Sequence, residues 1–230
     1  LHIAVIIAHF DHQLRPSSRA EVEIIRSYAE RNQIEFTTGS MDVKHFAELQ
    51  KLSIEEGARK ARYSFLFDQA KKYKAQAVVT GHTADDQVET ILMHLLRGSG
   101  AEGLRGMAFY SSGMWDSMIP LARPLLTTWR SETIAYCREN QLEPVMDETN
   151  SDTKYYRNRI RLELIPLLET YNPRFKENLL KTADVIREDH ITLKNHLDTI
   201  WQKVLIDQTA ECIILDVDEL RKLGTGTLRG

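Results

Sequence analysis

The chain predicts an α/β protein built on an open parallel sheet, followed by part of a helical second domain. Three observations carry this. Residues 3–8 (IAVIIA) are an apolar run without polar alternation, which marks a strand buried on both faces of a parallel sheet. Strand-like and helix-like segments then alternate through residue 97, as right-handed crossovers require. The helix over 84–97 follows directly on a strand at 75–80, the edge where open α/β sheets bind ligands.

Taken in order, the strand at 3–8 leads into a polar loop (HFDHQLRPSS). A helix over 19–32 has Val22, Ile25 and Ala29 at helical spacing. A short strand follows at 34–38, then a helix-rich stretch at 42–73. In the helix at 84–97, Val88, Ile91, Leu92, Leu95 and Leu96 form one apolar face. Thr83 suits its cap, with Asp86 three residues on, and Gly98 its stop. Residues 109–128 read as a loop with an edge strand, because Pro120 and Pro124 limit ladder pairing. Helices are expected at 130–140 and 155–168. Asn172-Pro173 then opens a long helix in the Asn-cap, Pro-first arrangement. Its seam of Leu179, Ala183, Ile186, His190, Leu193, Leu197, Ile200 and Val204 packs against another helix, in cis or in a homodimer. A domain boundary is expected near 170, dividing 1–170 from 171–230. The final strand candidate is 212–217.

Composition narrows the function classes. The 230 residues carry 30 Lys+Arg against 33 Asp+Glu and are 42% hydrophobic, the profile of an ordinary globular protein. The run at 3–8 falls far short of the roughly 20 residues a bilayer span needs. No basic stretch precedes it, so a secretory leader is not expected. Cys137 and Cys212 form no CxxC pair, which fits a reducing compartment and argues against a cysteine-ligated zinc or iron–sulfur site. The chain opens on Leu1 inside an apolar strand. It is therefore expected to be a fragment or a processed chain.

Four segments carry chemistry. GHTADDQVET (81–90) sets a histidine and three carboxylates (Asp85, Asp86, Glu89) at a strand-to-helix junction. They either complement the helix dipole or receive a nucleotide phosphate arriving with Mg²⁺, which takes carboxylate oxygens. In EEGARKARYSFL (55–66), Arg59 and Arg62 share one helix face. They are either surface partners of Glu55 and its neighbours or forks for phosphate. In HFDHQLRP (9–16), His9, Asp11 and His12 are either metal ligands or parts of a turn closed by Pro16. In DETNSDTKYYRNRIR (147–161), Asp147, Asn150 and Asp152 precede Arg157, Arg159 and Arg161. Residues 154–187 hold eight basic and four acidic side chains, although the whole chain is negative. With Tyr155 and Tyr156 alongside, this is either a nucleic-acid patch or the basic outer face of an amphipathic helix. GSGAEG (98–103) matches GxGxxG by letter, but a helix precedes it where the dinucleotide motif needs a strand. It reads as a helix stop and a mobile loop.

These segments in order, DHQLRP, ARKARY, GHTADDQVET, LLRGSGAEGLRGM, RPLL, DETNSDTKYYRNRIR and YNP, resemble the tRNA(Ile)-lysidine synthases of the PP-loop ATP pyrophosphatase superfamily. The resemblance implies a Rossmann-like, adenine nucleotide alpha hydrolase-like fold and a cytoplasmic, ATP-dependent ligase. It implies that ATP adenylates the C2 oxygen of the wobble cytidine of tRNA(Ile) with a CAU anticodon. The ε-amine of free L-lysine then displaces AMP. By the same resemblance Asp85 and Asp86 are catalytic and hold Mg²⁺, with Arg59 at the phosphates; an amine nucleophile must also lose a proton, and Glu89 is the nearby carboxylate expected to take it. Ala8, His9, His12, Arg62, Gly81 and His82 border the ATP. Arg97, Arg157, Arg159 and Arg161 face tRNA. The family's SGGxDS loop has no counterpart here, since no glycine precedes Gly39, so the chain alone is expected to be inactive. Gln13 stands where the family usually has Gly, and Thr83 where it often has a second His. The alternatives are another superfamily member, such as a tRNA thiolase, and a non-catalytic tRNA-binding remnant without its ATP loop.

Overall fold

The computed structural model describes residues 3–14, 18–142 and 152–224. Their contacts group the chain into two compact units, Leu1–Thr83 with Ala108–Asp147 and Ala84–Met107 with Glu148–Gly230. The turn expected at Pro16, and Asp147 and Asn150 of the acidic segment, lie outside the described residues.

In the first unit, β1 (Ile6–Asp11) pairs in parallel with β2 (Glu35–Ser40), from Ile6 opposite Glu35 to Asp11 opposite Ser40. The crossover is α1 (Ser18–Arg31), anchored by the fully buried Ala29. β1 thus starts and ends three residues later than hydropathy suggested. Ile3 and Val5 are exposed, while polar His9 and Asp11 belong to the strand. The partner strand sets the register, and apolarity alone could not locate it.

Two helices follow, each with a local start signal. Asp42 accepts the His45 N–H ahead of α2 (Val43–Gln50). Ser53 and Glu56 form a reciprocal capping box ahead of α3 (Ile54–Lys72). Gly57 lets the two helices touch, because a Cβ there would meet the Ala47 Cβ at 2.8 Å.

The remaining strands are β3 (Val78–Val79), β4 (Tyr110–Ser111) and β5 (Leu121–Ala122), in the order β3-β5-β4 with β3 parallel to β5. β5 is therefore the central strand of this sheet, not the edge its flanking prolines implied. Pro120 and Pro124 stand outside the two paired residues, where they break no ladder bond. The parallel pairings sit in two separate small sheets. Around them lie two clusters, Tyr63, Phe67, Ala70, Val78 and Leu121, and Phe10, Val43 and Ala61. This unit also contains α6 (Arg130–Glu139).

The second unit opens with α4 (Ala84–Leu96) and the short α5 (Ala101–Leu104). Val88, Ile91 and Leu92 are buried as expected, whereas Leu95 and Leu96 at the last turn are exposed. Gly98, at φ 75°, stops the helix in the left-handed conformation open to glycine.

The helix expected at 155–168 comes in three pieces: α7 (Tyr156–Arg159), a π-helical turn (Ile160–Leu164) and α8 (Ile165–Tyr171). Pro166 lacks the N–H that would close an α-helical bond one turn back, and the widened turn directly precedes it.

Asn172 does not cap the next helix. It ends α8, and its side chain and carbonyl take the N–H groups of Arg174 and Phe175. The long α9 (Phe175–Val204) begins only there. The unit closes with the hairpin β6 (Leu205–Gln208) and β7 (Ile213–Leu215), then α10 (Val217–Arg221). Ala183 and Val204 of the α9 seam are buried, while Leu193 is half exposed. Among the described residues no helix is long and apolar enough to cross a membrane.

Candidate functional site

In the first unit, β1 and α3 place the predicted nucleotide residues. Ala8 lies mid-strand opposite Thr37. Asp11 is buried, and its Oδ1 accepts the Gln13 N–H at 2.8 Å, which folds the chain sharply after the strand. His9 and His12 are half-buried. Burial lowers the pKa of His9. Burial, followed by the facing Arg62 charge, brings His12 down to about 4, with Asp11 opposing. Both rings are therefore neutral at pH 7, and the His12 Nδ1 is buried without a hydrogen-bond partner. Among the described residues no three His, Cys, Asp or Glu side chains converge as metal ligands. The reading of His9, Asp11 and His12 as a metal set is therefore not supported.

Arg59 and Arg62 project from α3 onto the Tyr63 ring, their guanidinium carbons 4.9 and 5.3 Å from its centroid. Tyr63 is completely buried and stacks on Trp115 at 4.7 Å. Arg123, also buried, donates through Nη1 to the Ala108 carbonyl and the Ser111 hydroxyl, each at 2.8 Å. After β3, Gly81 is exposed and His82 Nδ1 meets the Thr80 hydroxyl at 2.9 Å.

In the second unit, the first turns of α4 carry the carboxylates, and the chain's own cations hold each one. Asp85 pairs with Lys176, at 3.5 Å, which also reaches Glu169. Asp86 Oδ1 takes Arg157 at 3.0 Å and approaches Arg161 at 3.8 Å. Glu89 is 0% exposed, with Oε2 on Arg157 Nε and Oε1 on Arg161 Nε. Burial alone would weaken the charge on Arg161, but hydrogen bonding to Glu89 and the nearby Asp86 and Asp85 outweigh it and raise its pKa.

Glu89, fully buried, accepts one guanidinium N–H on each carboxylate oxygen and so ties Arg157 to Arg161 away from solvent. Arg157 and Arg161 spend their charge inside the unit. Arg159 stays exposed, with a loose 3.6 Å contact to Glu163, and Arg97 is also exposed.

Gln87, buried next to this network, clamps the backbone of Met107 with both ends of its carboxamide, at 2.8 and 2.7 Å. Sequence reasoning missed Gln87, Lys176, Tyr63, Trp115 and Arg123. The motifs ARKARY, GHTADDQVET and RPLL contained Tyr63, Gln87 and Arg123 and were the available signals.

The PP-loop domain family matches residues 1–168. The chain is 36% identical over 220 residues to a tRNA(Ile)-lysidine synthase of Dehalococcoides mccartyi, covering 94% of this chain and 46% of that protein. It is 34% identical over 230 residues to the tRNA(Ile)-lysidine synthase of Geobacter sulfurreducens, covering 100% and 48%. The Thermosipho africanus tRNA(Ile)-lysidine synthase is 37% identical over 195 residues, covering 85% and 44%. The chain thus spans about half the length of these relatives. Among solved structures, the U34-tRNA thiolase NcsA from Methanococcus maripaludis with its [4Fe-4S] cluster shares the fold. Its TM-score is 0.60 at 14% identity, over 80% of this chain and 61% of that one.

Proposed function

This chain belongs to the PP-loop domain family, and from that premise we propose that it is the nucleotide-handling part of an ATP-dependent tRNA(Ile)-lysidine synthase acting in the cytoplasm. The carrying observation is the match to tRNA(Ile)-lysidine synthases at 34–37% identity over 85–100% of the chain. The proposed reaction adenylates the C2 oxygen of the wobble cytidine in tRNA(Ile) with a CAU anticodon, releasing pyrophosphate. The ε-amine of L-lysine then attacks C2 and AMP leaves.

The residues suit these steps in part as expected. Arg59 and Arg62 present planar forks for phosphate. His9 and His12, neutral at pH 7, border the nucleotide as hydrogen-bonding groups and not as cations. Two carboxylates, Asp85 and Asp86, are too few for an all-protein metal cage but enough for Mg²⁺ held mostly by ATP oxygens. Such an ion would neutralise charge on the leaving pyrophosphate. Glu89 acts by holding Arg157 and Arg161 in place. Of the four arginines expected to face tRNA, Arg97 and Arg159 are the exposed ones, and residues 171–230 begin the helical part that supports that contact. Association of two copies along the α9 seam belongs to the same proposal.

The test is lysine incorporation into a tRNA(Ile) transcript by the complete protein. Asp86→Asn should abolish incorporation while leaving tRNA affinity nearly unchanged. Activity surviving within a few-fold would remove Asp86 from the catalytic set.

A further inference from the structure

Tyr63 lies at the middle of a cationic array that the proposed reaction leaves unexplained. Its ring is fully buried, and its hydroxyl sits against Arg123 without a well-formed hydrogen bond; Trp115 Nε1 and Arg123 Nε are likewise buried without a well-formed partner. Trp115 stacks on the ring with planes 15° apart. Arg59 and Arg62 also lie over it. Arg123, 3% exposed, stands beside the Tyr63 hydroxyl and close enough to Arg59 to feel its charge.

Among the described residues, neither Arg59 nor Arg123 faces a carboxylate. The acceptors of Arg123 are an uncharged carbonyl and a hydroxyl. Burial first, and then the charge of Arg59, weaken the hold of Arg123 on its proton, against the pull of Tyr63. A buried guanidinium without a counter-ion is costly. A fold that needed only packing at this point would be better served by an apolar side chain.

We propose that Tyr63 is a positioning residue, the aromatic platform that holds the Arg59 and Arg62 guanidinia for a polyphosphate group, with Arg123 bracing the platform through the phenol. Cation–π contact fixes the plane of a fork without using its N–H donors, so at Arg59 the ring leaves those donors to phosphate oxygens. Bound polyphosphate supplies the negative charge that Arg59 and Arg123 do not face among the described residues. This rests on the nucleotide reading above and adds to it a residue that touches no ligand.

The probe is inorganic pyrophosphate, titrated calorimetrically into the 230-residue chain. Tyr63→Phe keeps the ring and should hold pyrophosphate affinity within about threefold, whereas Tyr63→Leu should lose about tenfold or more. Arg123→Gln should weaken binding in the wild-type background by no more than Tyr63→Phe does, and should add nothing to Tyr63→Phe or Tyr63→Leu, because it acts through the phenol. Equal affinity in wild type and Tyr63→Leu would overturn the platform while leaving the nucleotide reading intact. A wild-type chain that binds no pyrophosphate would overturn the nucleotide reading and the platform with it. Should Tyr63→Leu not fold, Trp115 supplies a second readout, with Trp129 and Trp201 replaced by Phe. Its emission should shift as pyrophosphate saturates, because the ligand pulls on guanidinia resting on its stacking partner. Silent Trp115 emission at saturation would overturn the platform.

Discussion

His12 is half-buried beside Arg62, and burial with that neighbouring charge lowers its pKa from 6.5 to about 4. His9 shifts in the same direction, and only Asp11 and Glu21 oppose. Between pH 4 and 6.5 the unfolded chain therefore binds protons that the folded chain refuses. Stability rises with pH across that window, is fully present above 6.5, and is lost as pH falls toward 4. Urea denaturation at several pH values should show the slope, and His12→Asn should flatten it. An unchanged slope in His12→Asn would mean the ring is not held neutral.

The neighbouring Gln13 occupies the left-handed region at φ 51°, where a Cβ is strained. Its N–H must turn back to Asp11 Oδ1, and that turn explains why a glycine suits this position. Gln13→Gly is expected to raise stability by up to about 1 kcal/mol, and Gln13→Val to lower it by about 1–2 kcal/mol, read as urea midpoints.

Helix α4 separates what a sequence shows from what it hides. Its apolar stripe, its acidic first turn and its glycine stop were legible because they depend on residues a turn or two apart. The partners of Glu89 were not legible: Arg157 and Arg161 lie 68 and 72 positions away. No local rule joins them, so Glu89 read as a candidate base and the two arginines as an RNA surface. The same limit hid Tyr63 against Arg123. The exposed ends of β1 and α4, the central place of β5 and the late start of α9 were misjudged because neighbouring elements set them.

Glu89→Ala should cost about 3–5 kcal/mol, since it strands two partly buried guanidinia. Thermal unfolding of the variant measures this, and a loss below about 1 kcal/mol would mean the network is solvated. Gly106→Ala should also destabilise the chain. Its φ is 66°, and the new Cβ would lie 2.8 Å from the Gln87 carboxamide that clamps Met107.

At the scale of the whole molecule the charge is −3, so any attraction for tRNA has to come from local excess, such as the eight basic against four acidic side chains of residues 154–187. The structure sorts that excess into two kinds. Arg157, Arg161 and Lys176 have their charge matched by Glu89, Asp86, Asp85 and Glu169, so they contribute little to an outward field. Lys154, Arg159, Arg174 and Lys181 are exposed, as is Arg97 outside that stretch. Counterion release then separates the two groups in one experiment. In the complete protein, Arg159→Ala and Arg97→Ala should each reduce the slope of log affinity for tRNA against log salt by about one, with unfolding midpoints unchanged. Arg157→Ala should instead lower the midpoint by breaking the Glu89 network and leave the slope nearly as it was. The opposite pattern, a reduced slope in Arg157→Ala with full stability, would mean that Arg157 leaves Glu89 for phosphate when tRNA arrives. The internal pairing would then be a resting state of the tRNA surface, and the role assigned to Arg159 would pass to Arg157.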